Sequence, residues 1–89
     1  MTPIHRKSDI CTGHDIYPPR PTIQASEDVI VEKIGACRVG DSYDTHGHMG
    51  SCAGGSPNVF VNGRAIVRVG DGVSCGGAAA TGSQTVFAN

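Results

Sequence analysis

An internal repeat is the feature that most constrains how this chain of 89 residues can fold. Residues 26–41 read SEDVIVEKIGACRVGD and residues 56–71 read SPNVFVNGRAIVRVGD, an offset of 30 positions with seven of sixteen residues identical. A shorter third copy, SQTVFAN, occupies residues 83–89. Short repeats are supersecondary units that cannot bury their own apolar residues, so they pack against one another. We therefore expect one domain, residues 1–89, built from similar units.

The composition favours short strands over helices. The chain has no Leu and no Trp, it has 13 Gly, and Val and Ile supply most of its large apolar side chains. β-branched residues punctuated by Gly are typical of strands joined by tight turns. We expect an all-β fold without a helix of useful length.

Charge and hydropathy exclude several classes of function. The net charge is −1 and the chain has no run of basic residues, so nothing supports a nucleic-acid surface. No apolar stretch approaches the ~20 residues of a membrane-spanning helix. The first residues, MTPIHRKSDI, lack an apolar signal region, which predicts synthesis in the cytoplasm without conventional secretion. The four Cys are then expected to be reduced thiols.

Two hairpins are predicted from the repeat. Asn62-Gly63 separates two β-rich runs, and this pair favours a type I′ turn because both central residues need positive φ. The predicted strands are residues 58–61 and 64–69 for this hairpin, and residues 28–31 and 36–39 for the earlier one. By analogy the earlier hairpin should turn at residues 32–35. A last strand, residues 85–88, is expected to pair with one of these hairpins.

A short pattern occurs three times and is followed each time by a residue that can bind a metal. Arg precedes Asp by three positions, and a His or Cys follows four or five positions after the Asp: Arg6, Asp9 and His14; Arg38, Asp41 and His46; Arg68, Asp71 and Cys75. We expect the Arg and Asp to pair locally in turns. Because each copy of the pattern has a candidate ligand at nearly the same position, the repeat can bring three ligands together on one axis.

The spacing predicts a closed zinc site. His48 follows His46 after Gly47, whose freedom lets both imidazoles reach one ion. With His14 and Cys75 they complete a tetrahedral set that suits structural Zn²⁺, one ion per chain, with no open position for catalysis. Such a site would cross-link the repeat units, so metal binding would contribute to folding. The competing interpretation is that these are surface His and a buried Cys in Gly-rich loops.

Other His and Cys residues are weaker candidates. Cys11 lies near His14, and Cys52 follows the His pair and is the main rival of Cys75 as the fourth ligand. Cys37 lies within a predicted strand and is expected to be a small core residue. His5 is expected to be exposed in a leading arm, residues 1–14.

Four segments of the chain read GHDIYPPRPTIQASEDVIVEKIGACRVGD, THGHMG, GSPNVFVNGRAIVRVGDGVSCGG and ATGSQTVFAN. Together they resemble the PAAR-repeat family, the spike-tip proteins of contractile injection systems (type VI secretion or phage tail). The likeness runs from Ser8 to Asn89. The literal Pro-Ala-Ala-Arg motif is absent, and residues 34–38 and 65–68 take its places while the Arg and the following Val-Gly-Asp remain.

The resemblance implies a small conical domain of β-hairpin repeats. Its pseudo-threefold base would sit on the blunt end of a trimeric β-helical spike (VgrG-like or phage central spike), one cap per trimer. Its zinc would lie near the point, held by His14, His46, His48 and Cys75. We expect this chain not to be an enzyme, and the resemblance implies that effector proteins could attach to it and that the tip would be carried across the target envelope, piercing the membrane transiently. For the base, Val59, Val61, Phe87 and the C-terminal strand are candidates.

Two other functions remain open from the residues alone. A small zinc-dependent enzyme would need an exchangeable water on the metal, which four protein ligands would exclude. A free-standing zinc-binding or redox module would, for its redox form, need a pair of exposed thiols, and the chain has no Cys-x-x-Cys.

Overall fold

The structure, a computed structural model, describes residues 2–13, 18–44 and 50–89. Its strands are β1 Thr2–Pro3, β2 Ile30–Val31, β3 Ile34–Gly35, β4 Phe60–Val61, β5 Arg64–Ala65 and β6 Phe87–Ala88. They pair as three antiparallel two-stranded sheets, β1 with β6, β2 with β3 and β4 with β5. The described residues contain no helix, which confirms the all-β prediction. Accordingly, no described segment is a helix that could cross a membrane.

The Asn62-Gly63 hairpin forms as predicted. Asn62 and Gly63 have φ of 53° and 77° between β4 and β5. The earlier hairpin turns at Glu32 and Lys33, with φ of 54° and 70°, so the four-residue turn expected at residues 32–35 was wrong. Ile34 pairs with Val31 and belongs to strand β3 instead.

Side-chain hydrogen bonds explain why Glu32 tolerates the left-handed region, which is costly for residues with a Cβ. Its carboxylate accepts hydrogen bonds from Arg6 at 2.9 Å, from Thr85 at 2.6 Å and from the hydroxyl of Ser83. These three partners belong to a different repeat unit. The tertiary contacts therefore fix a turn that local propensity does not favour.

The strands are shorter than the sequence predicted because the chain leaves each hairpin and crosses to the next unit. After β3, Ala36 pairs with Arg6 and Arg38 pairs with Ile66. In the same way Arg68 pairs with Ile4. Each of these is a single bridge rather than a ladder, so regular strand ends after two residues.

The third repeat unit is split between the two ends of the chain. Strand β6 pairs with β1 in the register Thr2↔Ala88 and Pro3↔Phe87, which matches Arg64↔Val61 and Ala65↔Phe60 in the second unit. Residues 83–89 followed by residues 1–9 thus align with residues 56–71. The expectations that residues 85–88 pair with an earlier hairpin and that residues 1–14 form an arm were both wrong.

A ring of three backbone hydrogen bonds marks a pseudo-threefold axis. The N–H of His5 donates to Val67 O at 2.9 Å, that of Val67 to Cys37 O at 3.0 Å, and that of Cys37 to His5 O at 3.0 Å. These residues occupy the same position in the three units and are at most 1% exposed. The prediction that Cys37 is a core residue is confirmed.

The core consists of two buried clusters, and neighbouring residues of one unit, such as Ala36 and Cys37, belong to different clusters. The cluster under the hairpins contains Ile4, Val31, Ala36, Val61, Ile66 and Ala88. The second contains Cys11, Cys37, Tyr43, Cys52, Val67, Val73 and Ala79, with Cys75 packed against it. The molecule measures 32 × 23 × 22 Å, and its two similar short dimensions fit three units arranged around the long axis.

Candidate metal centre and docking face

Each Arg and Asp of the repeated pattern forms the same local pair. The Asp carboxylate accepts the backbone N–H of its Arg at 2.8 Å in all three copies. It also accepts the Arg Nε at 2.9, 3.0 and 2.9 Å in chain order. The predicted structural role of these pairs is confirmed.

Asp41 is the most enclosed of the three carboxylates. It is 1% exposed and also accepts a hydrogen bond from Arg64 at 2.6 Å. Burial alone would raise the pKa of Asp41, but the hydrogen bonds from Arg38 and the charge of Arg64 outweigh it, and the pKa lies below its ordinary value. The carboxylate therefore stays charged and braces two units.

The Arg-to-Asp turns direct the following residues towards the axis. In each turn the Asp N–H donates to the Arg carbonyl, and the preceding residue has positive φ: Ser8 at 75°, Gly40 at 97° and Gly70 at 95°. Two residues after each Asp lies a buried side chain, and these are Cys11, Tyr43 and Val73. The predicted ligands thus come shortly after these three buried side chains in the sequence, and the three side chains occupy equivalent positions in one buried layer.

Of the four predicted zinc ligands, Cys75 lies within the described residues, whereas His14, His46 and His48 lie outside them. Cys75 is partly buried. A Cβ built on Gly50 would lie 3.0 Å from Cys75 Sγ, so the backbone two residues after His48 runs beside the thiol. A Cβ built on Gly77 would lie 2.9 Å from Gly13 O, which places the residue before His14 next to the same loop.

The described flanks of all three predicted ligand segments therefore meet at one place. Thr12 N–H donates to Ala78 O at 2.8 Å, and Ser74 N–H donates to Ser51 O at 2.8 Å. Among the described residues, no three His, Cys, Asp or Glu side chains stand together in a way that could hold a metal ion. The donor set of three imidazoles and one thiolate is one that suits zinc.

The two rival cysteines lie in the core. Cys11 is 1% exposed and Cys52 is 2% exposed. Both thiols belong to the buried cluster that contains Tyr43. Cys75, by contrast, packs at the edge of the same cluster.

His5 is fully buried, so the expectation of an exposed His5 was wrong. Its Nδ1 lies 2.7 Å from Thr81 O, and because a carbonyl only accepts, Nδ1 carries the proton. Nε2 then accepts from the hydroxyl of Tyr43 at 2.8 Å. Burial lowers the pKa of His5, which keeps the ring neutral. Sequence reasoning missed His5 because its unit is divided between the chain ends.

Three large apolar side chains are exposed at equivalent positions of the three two-stranded sheets. Ile30 on β2 is 53% exposed, Phe60 on β4 is 61% exposed and Phe87 on β6 is 42% exposed. Val61, a predicted base residue, is only 4% exposed and points into the core, so that assignment was wrong. Residues Ile30, Phe60 and Phe87 are called the apolar trio below.

The comparison with protein families identifies one match. The model of the PAAR motif matches residues 12–81, which is most of the chain. The chain therefore belongs to the PAAR-motif family, as its resemblance indicated. The split third unit, residues 83–89 and 1–9, lies outside the matched range. A search of the curated proteins finds no match to this chain.

Proposed function

We propose that this protein caps the tip of a trimeric β-helical spike in a type VI secretion system or a contractile phage tail. Membership of the PAAR-motif family supports a spike-tip role. The observation that best supports the proposal is the apolar trio. It places one exposed apolar side chain at the same position of each of the three units around the pseudo-threefold axis. A threefold partner offers three identical sites for such a surface.

The energetics of the trio support a lasting contact. Burying one large apolar side chain contributes roughly 1.5–3 kcal/mol. One rigid chain that makes three equal contacts loses its translational freedom only once. The free-energy contributions of the three contacts therefore add. One cap would occupy all three sites of the trimer, so the expected stoichiometry is one cap per spike.

We propose that the metal vertex lies at the end of the molecule away from the apolar trio. We assign His14, His46, His48 and Cys75 as the ligands, which the meeting of their flanking segments supports. When bound, zinc would supply a rigid cross-link between three loops where the chain has too little volume for an apolar core. No catalytic step is assigned to this site.

The chain itself resists deformation along the axis. The central ring of hydrogen bonds ties His5, Cys37 and Val67 together, and the three Arg–Asp turns brace the segments that lead to the vertex. Because these connections are short, the backbone has few ways to deform under a force along the axis. This rigidity suits a tip that is driven through a membrane and delivered with the injection machine.

A pair of isoleucines tests the docking face. Ile30 is 53% exposed within the trio, whereas Ile23 is 48% exposed outside it. Ile30→Asp should weaken binding to the cognate spike trimer at least about tenfold, since a charge would be buried at an apolar contact. Ile23→Asp should bind like the unchanged protein. Equal binding by both variants, measured by biolayer interferometry, would contradict the proposed face.

A further inference from the structure

A groove of about 510 Å³ lies where the first and second repeat units meet. Its lining comes from the segment before the first hairpin, from the turn between Arg38 and Asp41, from the second hairpin and, through Lys7, from the third unit. Cavities of this size hold small ligands or a few residues of a peptide. The apolar trio and Cys75 lie outside this lining, so neither the proposed docking face nor the proposed metal vertex accounts for the groove.

Lys7 and Glu27 place opposite charges in this groove. Within residues 2–13, 18–44 and 50–89, their side chains form no ion pair or hydrogen bond, either with each other or with a third group. The guanidinium of Arg64 donates to Asp41 at 2.6 Å and has further N–H donors. The groove therefore offers both a cation and an anion to a partner.

The sum of the charges argues against a simple ion as that partner. Among the described lining residues, three cations face three anions: Lys7, Arg38 and Arg64, and Glu27, Asp28 and Asp41. A phosphate or a metal cation would meet as much repulsion as attraction here. A ligand that carries charges of both signs fits this lining better.

The groove also breaks the pseudo-threefold symmetry of the molecule. Three of its charged residues, Lys7, Glu27 and Arg64, align with uncharged residues in both other units: Val39 and Val69, Pro57 and Gln84, and Thr2 and Ile34, respectively. A threefold spike would present one surface to all three positions, so it cannot match a groove that is charged at only one of them. The occupant is then a single chain, and this step alone rests on the proposed function.

The backbone of the groove indicates that the occupant is a polypeptide. Ala25 lines the groove, and neither its N–H nor its C=O forms a hydrogen bond with any residue that the structure describes. An extended peptide pairs with such main-chain groups while its side chains meet the neighbouring pockets. Ile23, which is 48% exposed, adds an apolar contact to the same lining.

We propose that this groove binds an extended segment of a protein partner other than the spike, in which acidic and basic side chains alternate on one face. The acidic side chains pair with Lys7 and Arg64, and a basic side chain pairs with Glu27. The main chain of the segment bonds to Ala25. Each copy of the protein carries one such partner.

The experiment uses the full chain, labelled with ¹⁵N, and a synthetic probe. The probe is the peptide acetyl-ETKTETK-amide, whose Glu and Lys alternate on one face when it is extended. The matched control is the neutral peptide acetyl-QTQTQTQ-amide. Each is titrated to millimolar concentration while the amide chemical shifts are followed by NMR. The charged peptide should shift the amides of Lys7, Ala25 and Arg64, bind at least about threefold more tightly than the control, and bind more weakly at high salt.

Two lysine variants locate the contact. Lys7→Gln should weaken binding of the charged peptide about threefold, because one ion pair is lost. Lys33→Gln removes an exposed charge outside the groove lining and should bind like the unchanged protein. The proposal would be overturned by an absence of shifts in the groove, by shifts centred on the apolar trio, by equal binding of the two peptides, or by equal effects of the two variants. No spike is present in these titrations, so failure of the spike-tip proposal would be seen separately.

Discussion

Thr2 pairs with Ala88 in the register in which Arg64 pairs with Val61. By this alignment Asn89 corresponds to Asn62 of the second hairpin. The pairing of β1 with β6 thus takes the place of a hairpin in the third unit and closes a ring of three units. The fold therefore depends on the pairing of the three units in a ring more than on the place in that ring where the chain begins and ends.

A circular permutant should therefore fold. In this variant Asn89 is joined directly to Met1 and the chain begins at Gly63 and ends at Asn62. Its free energy of unfolding should lie within about 2 kcal/mol of the original, since an exposed turn is exchanged for another. Urea unfolding followed by circular dichroism measures this. A permutant opened between Cys37 and Arg38 should not fold, because it cuts the central ring, and equal stability of the two permutants would disprove the ring account.

Replacing Ser8 with glycine should stabilise the protein. Its φ of 75° lies in the left-handed region, where the equivalent residues of the other two units are Gly40 and Gly70. Relief of roughly 1–2 kcal/mol of strain exceeds the added entropy of the unfolded chain, so Ser8→Gly should stabilise by about 0.5–1 kcal/mol. The control is Gly70→Ser. A Cβ added at Gly70 would meet open space, so this substitution should destabilise the protein through backbone strain alone. A loss of stability in Ser8→Gly would contradict this reasoning.

The sequence predicted the fold class and the second hairpin because Asn62-Gly63 and the β-branched runs are local signals. It predicted a four-residue turn at residues 32–35 instead of the two-residue turn at Glu32 and Lys33, since the shorter turn depends on hydrogen bonds from Arg6 and Thr85 in another unit. The third unit was recognised only in part, because its halves lie at opposite ends of the chain. Reading residues 83–89 onward into residues 1–9 would have found His5 beside Cys37 and Val67.

The buried His5 should make stability depend on pH. Burial lowers its pKa in the folded state below the ordinary 6.5, so its contribution is present above pH 6.5 and is lost as the pH falls below it. The loss can reach about 1.4 kcal/mol per pH unit. His5→Gln should be less stable at pH 7.5 but flatter between pH 7 and 5. Parallel pH profiles of the free energy of unfolding would show that His5 does not titrate in this way.

The proposed zinc ligand Cys75 can be separated from its rival Cys52. Cys75→Ala should lose the metal and destabilise the protein by several kcal/mol, because structural zinc binding contributes of order ten kcal/mol to small domains. Cys52→Ala removes a core thiol and should retain about one zinc per chain. Elemental analysis of both purified variants gives the ratio directly. Zinc retained in Cys75→Ala and lost in Cys52→Ala would reverse the assignment.

The candidate site could be predicted only in part for a physical reason. The spacing after Asp9, Asp41 and Asp71 identifies residues that leave equivalent turns, and it says nothing of how the three loops meet. That meeting is visible where Gly13 lies against Gly77 and Gly50 lies against Cys75. The docking face was misassigned at Val61 because adjacent strand residues alternate between the core and the exterior, and a shift of one position exchanges them.

The most direct test of the spike-tip account is the mass of the complex with a cognate spike, measured by native mass spectrometry. The chain of 9.1 kDa should be monomeric alone. Mixed in excess with the spike, it should give one species, a trimer that carries a single copy of this chain, at both low and high salt. A trimer that carries three copies, or no complex with the spike, would contradict the account.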